Sequence, residues 1–146
     1  MRRGPAMWYI GTMVPSELSD DALVTAFETA QLGDGEFRHR EHVRAAFVYL
    51  ARHGDFAEAA CRFRRALRHF AAAHGAPARY HETLTWAYLA LINERMRAAC
   101  CDSSSELLRR CPELLDGRAL LSRHYDVDAL LRSSQAREVF VLPERK

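Results

Sequence analysis

The stretch DFAEAACRFRRALRHFAAAHG, Asp55 to Gly75, decides the fold class. Phe56, Ala59, Ala60, Phe63, Ala66, Leu67 and Phe70 recur at helical spacing, and Arg62, Arg64, Arg65 and Arg68 fall outside that stripe. Asp55 is a good N-cap and Gly75 a natural stop, so the segment reads as one complete amphipathic helix.

The same grammar repeats outward from it. Upstream, SELSDDALVTAFETAQL offers Ser19 as an N-cap, acids in the first turn, and Leu23, Phe27 and Ala30 at helical spacing. GDGE, Gly33 to Glu36, breaks that helix, and a second runs from about Arg38 to His53 and stops at Gly54. Downstream, the turn GAPA leads into a fourth helix from about Tyr80 to Cys100. Beyond Cys101 the elements shorten: SSSELLRRC stopped by Pro112, then LLDGRALLSRHY, then DVDALLRSSQAREVF with Asp126 or Asp128 as its cap. Strand signals are nearly absent. The expectation is an all-α chain, a compact bundle of four main helices closed by short C-terminal ones, forming a single domain over residues 1–146. Residues 1–16 are expected to be a loosely ordered N-terminal extension.

Composition narrows the function classes. Hydrophobic residues make up 49% of the 146 residues and charged ones 27%, the balance of an ordinary globular chain. The formal charge is only +2, and acids accompany the arginines, so no basic stripe points to nucleic acid. Lys146 is the sole lysine; with the alanine excess this reads as the codon bias of a GC-rich bacterial genome. Cys61, Cys100, Cys101 and Cys111 form no C-x-x-C pair, which argues for reduced thiols and a cytoplasmic location. The start MRRGPAMWYIGTMVPS imitates a secretory signal, but Gly11 and Pro15 interrupt its apolar run. No stretch reaches the ~18 apolar residues of a membrane span, so no membrane partner is expected.

Chemistry concentrates in the histidines. In FRHREHVRAAFVYL, Phe37 to Leu50, the residues Val43, Ala46 and Leu50 share one helical face; His39 lies in the middle of it and His42 on its flank. In YHETLTWAYLALINERM, His81 sits at the centre of a stripe made by Leu84, Thr85, Tyr88, Leu89, Leu91, Ile92 and Met96. Tight turns join the second helix to the third and the third to the fourth, so both histidine-bearing ends belong at the same end of the bundle. Glu41, Glu82, Tyr49, Tyr80, Thr83 and Thr85 are candidate supporting groups. The other four histidines, His53, His69, His74 and His124, sit at helix ends, on the arginine-rich face or in a turn.

Three chemistries fit this pattern. His39, His42 and His81 could hold one divalent transition metal with an open position. Alternatively, His81 and His42 could act as acid–base groups with Glu82, Thr85 and Tyr49 around them. In the third reading each histidine is hydrogen-bonded near a helix end and packs its ring.

The motif F-x-H-x-x-H-V (Phe37, His39, His42, Val43) is followed by YHET-x-T (Tyr80, His81, Glu82, Thr83, Thr85). A terminal segment then carries Ser122, Arg123, Tyr125, Ala136, Arg137, Phe140, Val141 and Pro143. This combination resembles a group of small, uncharacterised bacterial all-helical proteins, and the resemblance implies that these positions form one site without naming a reaction. Gly54, Ala59, Phe63 and Ala66 also match half of one tetratricopeptide repeat, with no second copy at its period.

The expected function is a small enzyme, of the kind found in secondary metabolism, acting on a small molecule between the second and fourth helices. The alternative is an adaptor that binds a peptide or protein through the repeat-like hairpin. A homodimer is compatible with either.

Overall fold

A computed structural model of the chain describes residues 14–144. Among them there are helices and turns and no strand, so the fold is all-α as its periodicity predicts. The expected N-terminal extension lies outside the described residues up to position 13; Pro15–Glu17 forms a 3-10 turn.

Four main helices follow: α1 (Asp20–Glu28), α2 (His39–Arg52), α3 (Phe56–Ala73) and α4 (Glu82–Ala99). Four shorter ones close the chain: α5 (Ser104–Arg110), α6 (Gly117–Leu121), α7 (Val127–Arg132) and α8 (Ser134–Glu138). Ser19 and Asp55 cap α1 and α3 as expected, accepting from the amides of Ala22 and Ala57. Gly75 takes a left-handed φ of 69° at the end of α3, whereas Gly54 does not; the chain leaves α2 through an extended His53. The C-terminal helix expected as one piece is two, because Ser133 turns extended and caps α8 through the amide of Ala136.

Helix α2 is the axis of the bundle and packs on α1, α3, α4 and α5. Its residues from Val43 to Leu50 are all buried, so the helix is enclosed on every side and not along one stripe. Ala59 and Ala60, both fully buried, bring α3 close to it, and Phe27, Phe63 and Leu89 complete the centre. Fully burying a side chain such as Phe27 contributes about 1.5–3 kcal/mol.

One charge lies inside this enclosure. The Arg44 guanidinium donates to Asp20 Oδ1 (3.0 Å) and to the carbonyls of Pro15 (2.9 Å) and Leu18 (2.6 Å). The Ser104 hydroxyl donates to the same Asp20 oxygen at 2.9 Å, so one arginine fastens the first turn, α1 and α5 onto α2.

Thr83 does the equivalent for the C-terminus. Its hydroxyl lies 2.7 Å from the Ala136 carbonyl and 3.0 Å from that of Val139, and its oxygen accepts the Val141 amide at 3.1 Å. Thr83→Val keeps the shape and removes these partners. It is expected to cost about 2 kcal/mol, the penalty of buried polar groups left unmade, and to speed amide exchange at Val141. Unchanged exchange there would contradict this latch. No helix among the described residues is long and apolar enough to cross a membrane.

Candidate functional site

The N-terminal ends of α2 and α4, the C-terminal half of α3 and the pair α6–α7 enclose a cavity of about 640 Å³. Its walls are mainly apolar: Phe37, Phe63, Phe70, Leu84, Leu89, Ile92, Leu121 and Val127. Leu115 and Leu131 line it and are also exposed, which places the mouth between the start of α6 and the end of α7. His39, His42 and His81 all line it, together with Tyr80, Thr85 and Tyr88. The three imidazoles border one cavity and differ in what their nitrogens do.

His81 precedes α4 as its N-cap. Its Nδ1 accepts the Leu84 amide at 3.2 Å and its Nε2–H donates to the Leu130 carbonyl at 3.0 Å. Both nitrogens are spent, and the ring ties the start of α4 to α7. A histidine cap is unusual beside the Ser, Thr, Asp and Asn that helices prefer, which is why the spacing placed it inside the helix.

His39, the first residue of α2, points its Nε2 at the Leu114 carbonyl (2.7 Å) and the Tyr88 hydroxyl (2.8 Å). The Tyr88 hydroxyl donates to the same carbonyl. With Tyr88 donating its only proton to Leu114, the Nε2–H tautomer of His39 satisfies both contacts. Gly117 is needed beside this pair: a Cβ there would lie 2.7 Å from the His39 ring and 3.1 Å from the Tyr88 ring.

His42 has no hydrogen-bond partner among the described residues. Its ring packs on Phe37 with centroids 4.3 Å apart and lines the cavity. Burial first, and the neighbouring His39 second, push its pKa from 6.5 down to about 4, so the imidazole is neutral at physiological pH.

The remaining expected groups separate in two ways. Thr85 lines the cavity and donates to the His81 carbonyl at 2.7 Å, leaving its oxygen as an acceptor. Glu82 does not line it. Its carboxylate turns to α3, accepting from Arg64 Nε (2.7 Å), Tyr80 (2.5 Å) and Trp86 Nε1 (3.1 Å). Burial alone would raise its pKa, but these donors outweigh burial and hold it below the ordinary carboxylate value. The same burial and the Glu82 hydrogen bond push the Tyr80 phenol up. Tyr49 is also elsewhere: its hydroxyl donates to Glu28 on α1 at 2.6 Å. The polar atoms of Glu82 and Tyr49 are thus paired with groups on other helices, away from the cavity lining.

The three-histidine metal set does not fit these side chains. His81 has no free nitrogen, and among the described residues no group of three or more His, Cys, Asp or Glu is arranged to hold a metal ion. Conversely, sequence reasoning missed Tyr88, whose position inside a buried stripe signals that its hydroxyl needs a partner. It also missed the rim, where Arg79 pairs with Asp34 (2.5 Å) and Arg118 with Asp128 (2.5 Å) while Asp116 caps α6. No protein-family model matches the chain, and no curated protein or solved structure matches it.

Proposed function

We propose that the protein binds a small, mainly apolar molecule in this cavity, with the His42 imidazole as its polar anchor. The observation that carries the reading is the His42 imidazole, without a hydrogen-bond partner among the described residues, on a wall it shares with Phe37, Phe63, Phe70, Leu84, Leu89 and Ile92. His42 is partly buried on that wall, where a bound molecule can reach it. The volume of about 640 Å³ falls within the roughly 300–1,000 Å³ of small-molecule sites.

Acid–base catalysis on the bound molecule, the enzymatic form of this reading, falls to His42 alone, since His81 and Glu82 are committed elsewhere. A base whose pKa is about 4 is poorly matched to neutral pH, so binding is the primary assignment. Of the repeat-like residues Gly54, Ala59, Phe63 and Ala66, Ala59 and Phe63 are buried in the core, so the cavity is the feature on which the present reading rests.

Thermal denaturation in the presence of uncharged apolar compounds of one to four rings tests the reading. A ligand at one hundred times its Kd stabilises by about 2.7 kcal/mol, and His42→Leu should abolish or sharply reduce that shift. If no compound moves the wild-type Tm, the binding reading fails. One equivalent of transition metal on untagged protein would reinstate the metal reading in its place.

A further inference from the structure

We propose that the ligand is an amine with an apolar body of two or three rings, its ammonium held by Asp116 at the cavity mouth and its rings set against Phe37 and Phe70. The inference rests on the reading that the cavity binds a small molecule, and it specifies the charge and size of that molecule.

The mouth supplies the charge. Leu115, exposed at the opening, is followed directly by Asp116, which also lines the cavity. Asp116 Oδ1 accepts the Ala119 amide at 3.1 Å, and Oδ2 has no partner among the described residues. Gly117, the next residue, packs so closely that a Cβ there would lie 3.1 Å from the Tyr88 ring. The Asp116 carboxylate is near enough to Tyr88 that, after burial, its charge is the next cause raising that phenol's pKa. It therefore faces the inner wall as well as solvent.

The charges along the lining do not cancel. Asp34 pairs with Arg79 and Arg118 pairs with Asp128, while Asp116 has no ion-pair partner among the described residues. With both pairs neutral, the mouth keeps a net negative charge. The two arginines retain N–H groups beyond these pairs, and those donors suit a neutral oxygen on the ligand. An anion that reached them would also meet the Asp116 carboxylate. Deeper in, the neutral His42 imidazole sets no positive charge against an ammonium.

The apolar walls set the body. A cavity of ~150 Å³ accommodates one benzene ring, so a lone ring would leave most of about 640 Å³ empty. Phe37 lies 5.1 Å from Phe70 and 4.3 Å from His42, centroid to centroid, so three rings border one side at the spacings that aromatic contacts favour.

Three naphthalenes tell the classes apart at pH 7: 2-(aminomethyl)naphthalene, a cation; 2-(hydroxymethyl)naphthalene, its neutral isostere; and 2-naphthoate, an anion. Affinities are measured by fluorescence titration on wild type and on Asp116→Asn, whose side chain keeps the Ala119 cap. Asp116 is exposed, so its ion pair is worth about fivefold in affinity. The wild type should bind the amine about fivefold more tightly than the alcohol, and the naphthoate more weakly than either. In Asp116→Asn the amine should fall to the level of the alcohol, whose own affinity stays unchanged. Salt at about 0.5 M should shrink the same margin in the wild type. Equal binding of amine and alcohol, or preference for naphthoate, overturns the amine class and leaves the cavity reading standing. A preference for the amine that persists in Asp116→Asn overturns the assignment to Asp116. Binding of none of the three overturns both readings.

Discussion

His42→Leu is expected to unfold at a higher temperature than the wild type while losing its ligand. Leucine fills nearly the same space beside Phe37 and removes an imidazole whose charged form burial disfavours. The gain at pH 7 is small, because His42 is only partly buried. The pH dependence makes the effect larger. In the unfolded chain His42 takes up a proton near pH 6.5, and in the folded one only near pH 4. Between those values the unfolded state binds more protons, so stability falls as the pH falls. At 1.36 kcal/mol per pK unit, lowering the pH from 6.5 to 4 removes about 3 kcal/mol through this residue alone. The leucine variant lacks that loss, so the stability gap between the two proteins should widen over this window and level off below it. Glu82 acts in a different window. Its depressed pKa contributes stability that is present above the ordinary carboxylate value and is lost as the pH falls through the lowered one. Urea unfolding of both proteins across pH 7 to 4 separates the two; a constant gap would show that His42 is solvated or paired in the folded state.

His81→Ala is expected to act in the opposite direction. The substitution removes the cap on the Leu84 amide and leaves the Leu130 carbonyl without its donor, at a residue only 5% exposed. Losing the cap costs about 1 kcal/mol and the orphaned carbonyl about 1–3 kcal/mol, so the variant should be destabilised by about 3 kcal/mol. Asn caps helices well, so His81→Asn should recover about 1 kcal/mol by restoring the cap without reaching Leu130. A residue serving only as a catalytic or metal-binding group would give a different pattern, with both variants inactive and as stable as the wild type. Chemical denaturation of the three proteins distinguishes these outcomes.

The two histidines show where sequence suffices and where it stops. Helical spacing and connectivity brought His39, His42 and His81 to one end of the bundle, and all three line one cavity there. What separates them is set by carbonyls far along the chain. Leu114 meets His39 across 75 residues and Leu130 meets His81 across 49. Both carbonyls belong to the C-terminal turns and short helices, which have no periodicity strong enough to place them. The partners of Tyr49 and Glu82 were hidden for a related reason. A helical wheel gives a direction but not the neighbour in that direction, and here the neighbours are Glu28 on α1 and Arg64 on α3. Main-helix boundaries were legible wherever a cap of ordinary type marked them, as at Ser19, Asp55 and Gly75. They slipped by about two residues at α4, whose cap is a histidine.

The central claim is that His42 faces a ligand inside the α2–α4 cavity, and its most direct test is a nuclear Overhauser measurement on the protein bound to the apolar compound that most raises its Tm. Contacts from that compound to the His42 and Phe70 rings are predicted, and they should vanish in His42→Leu at equal probe concentration. Contacts instead to Val139, Phe140 and Leu142, the exposed apolar residues near the C-terminus, would contradict it.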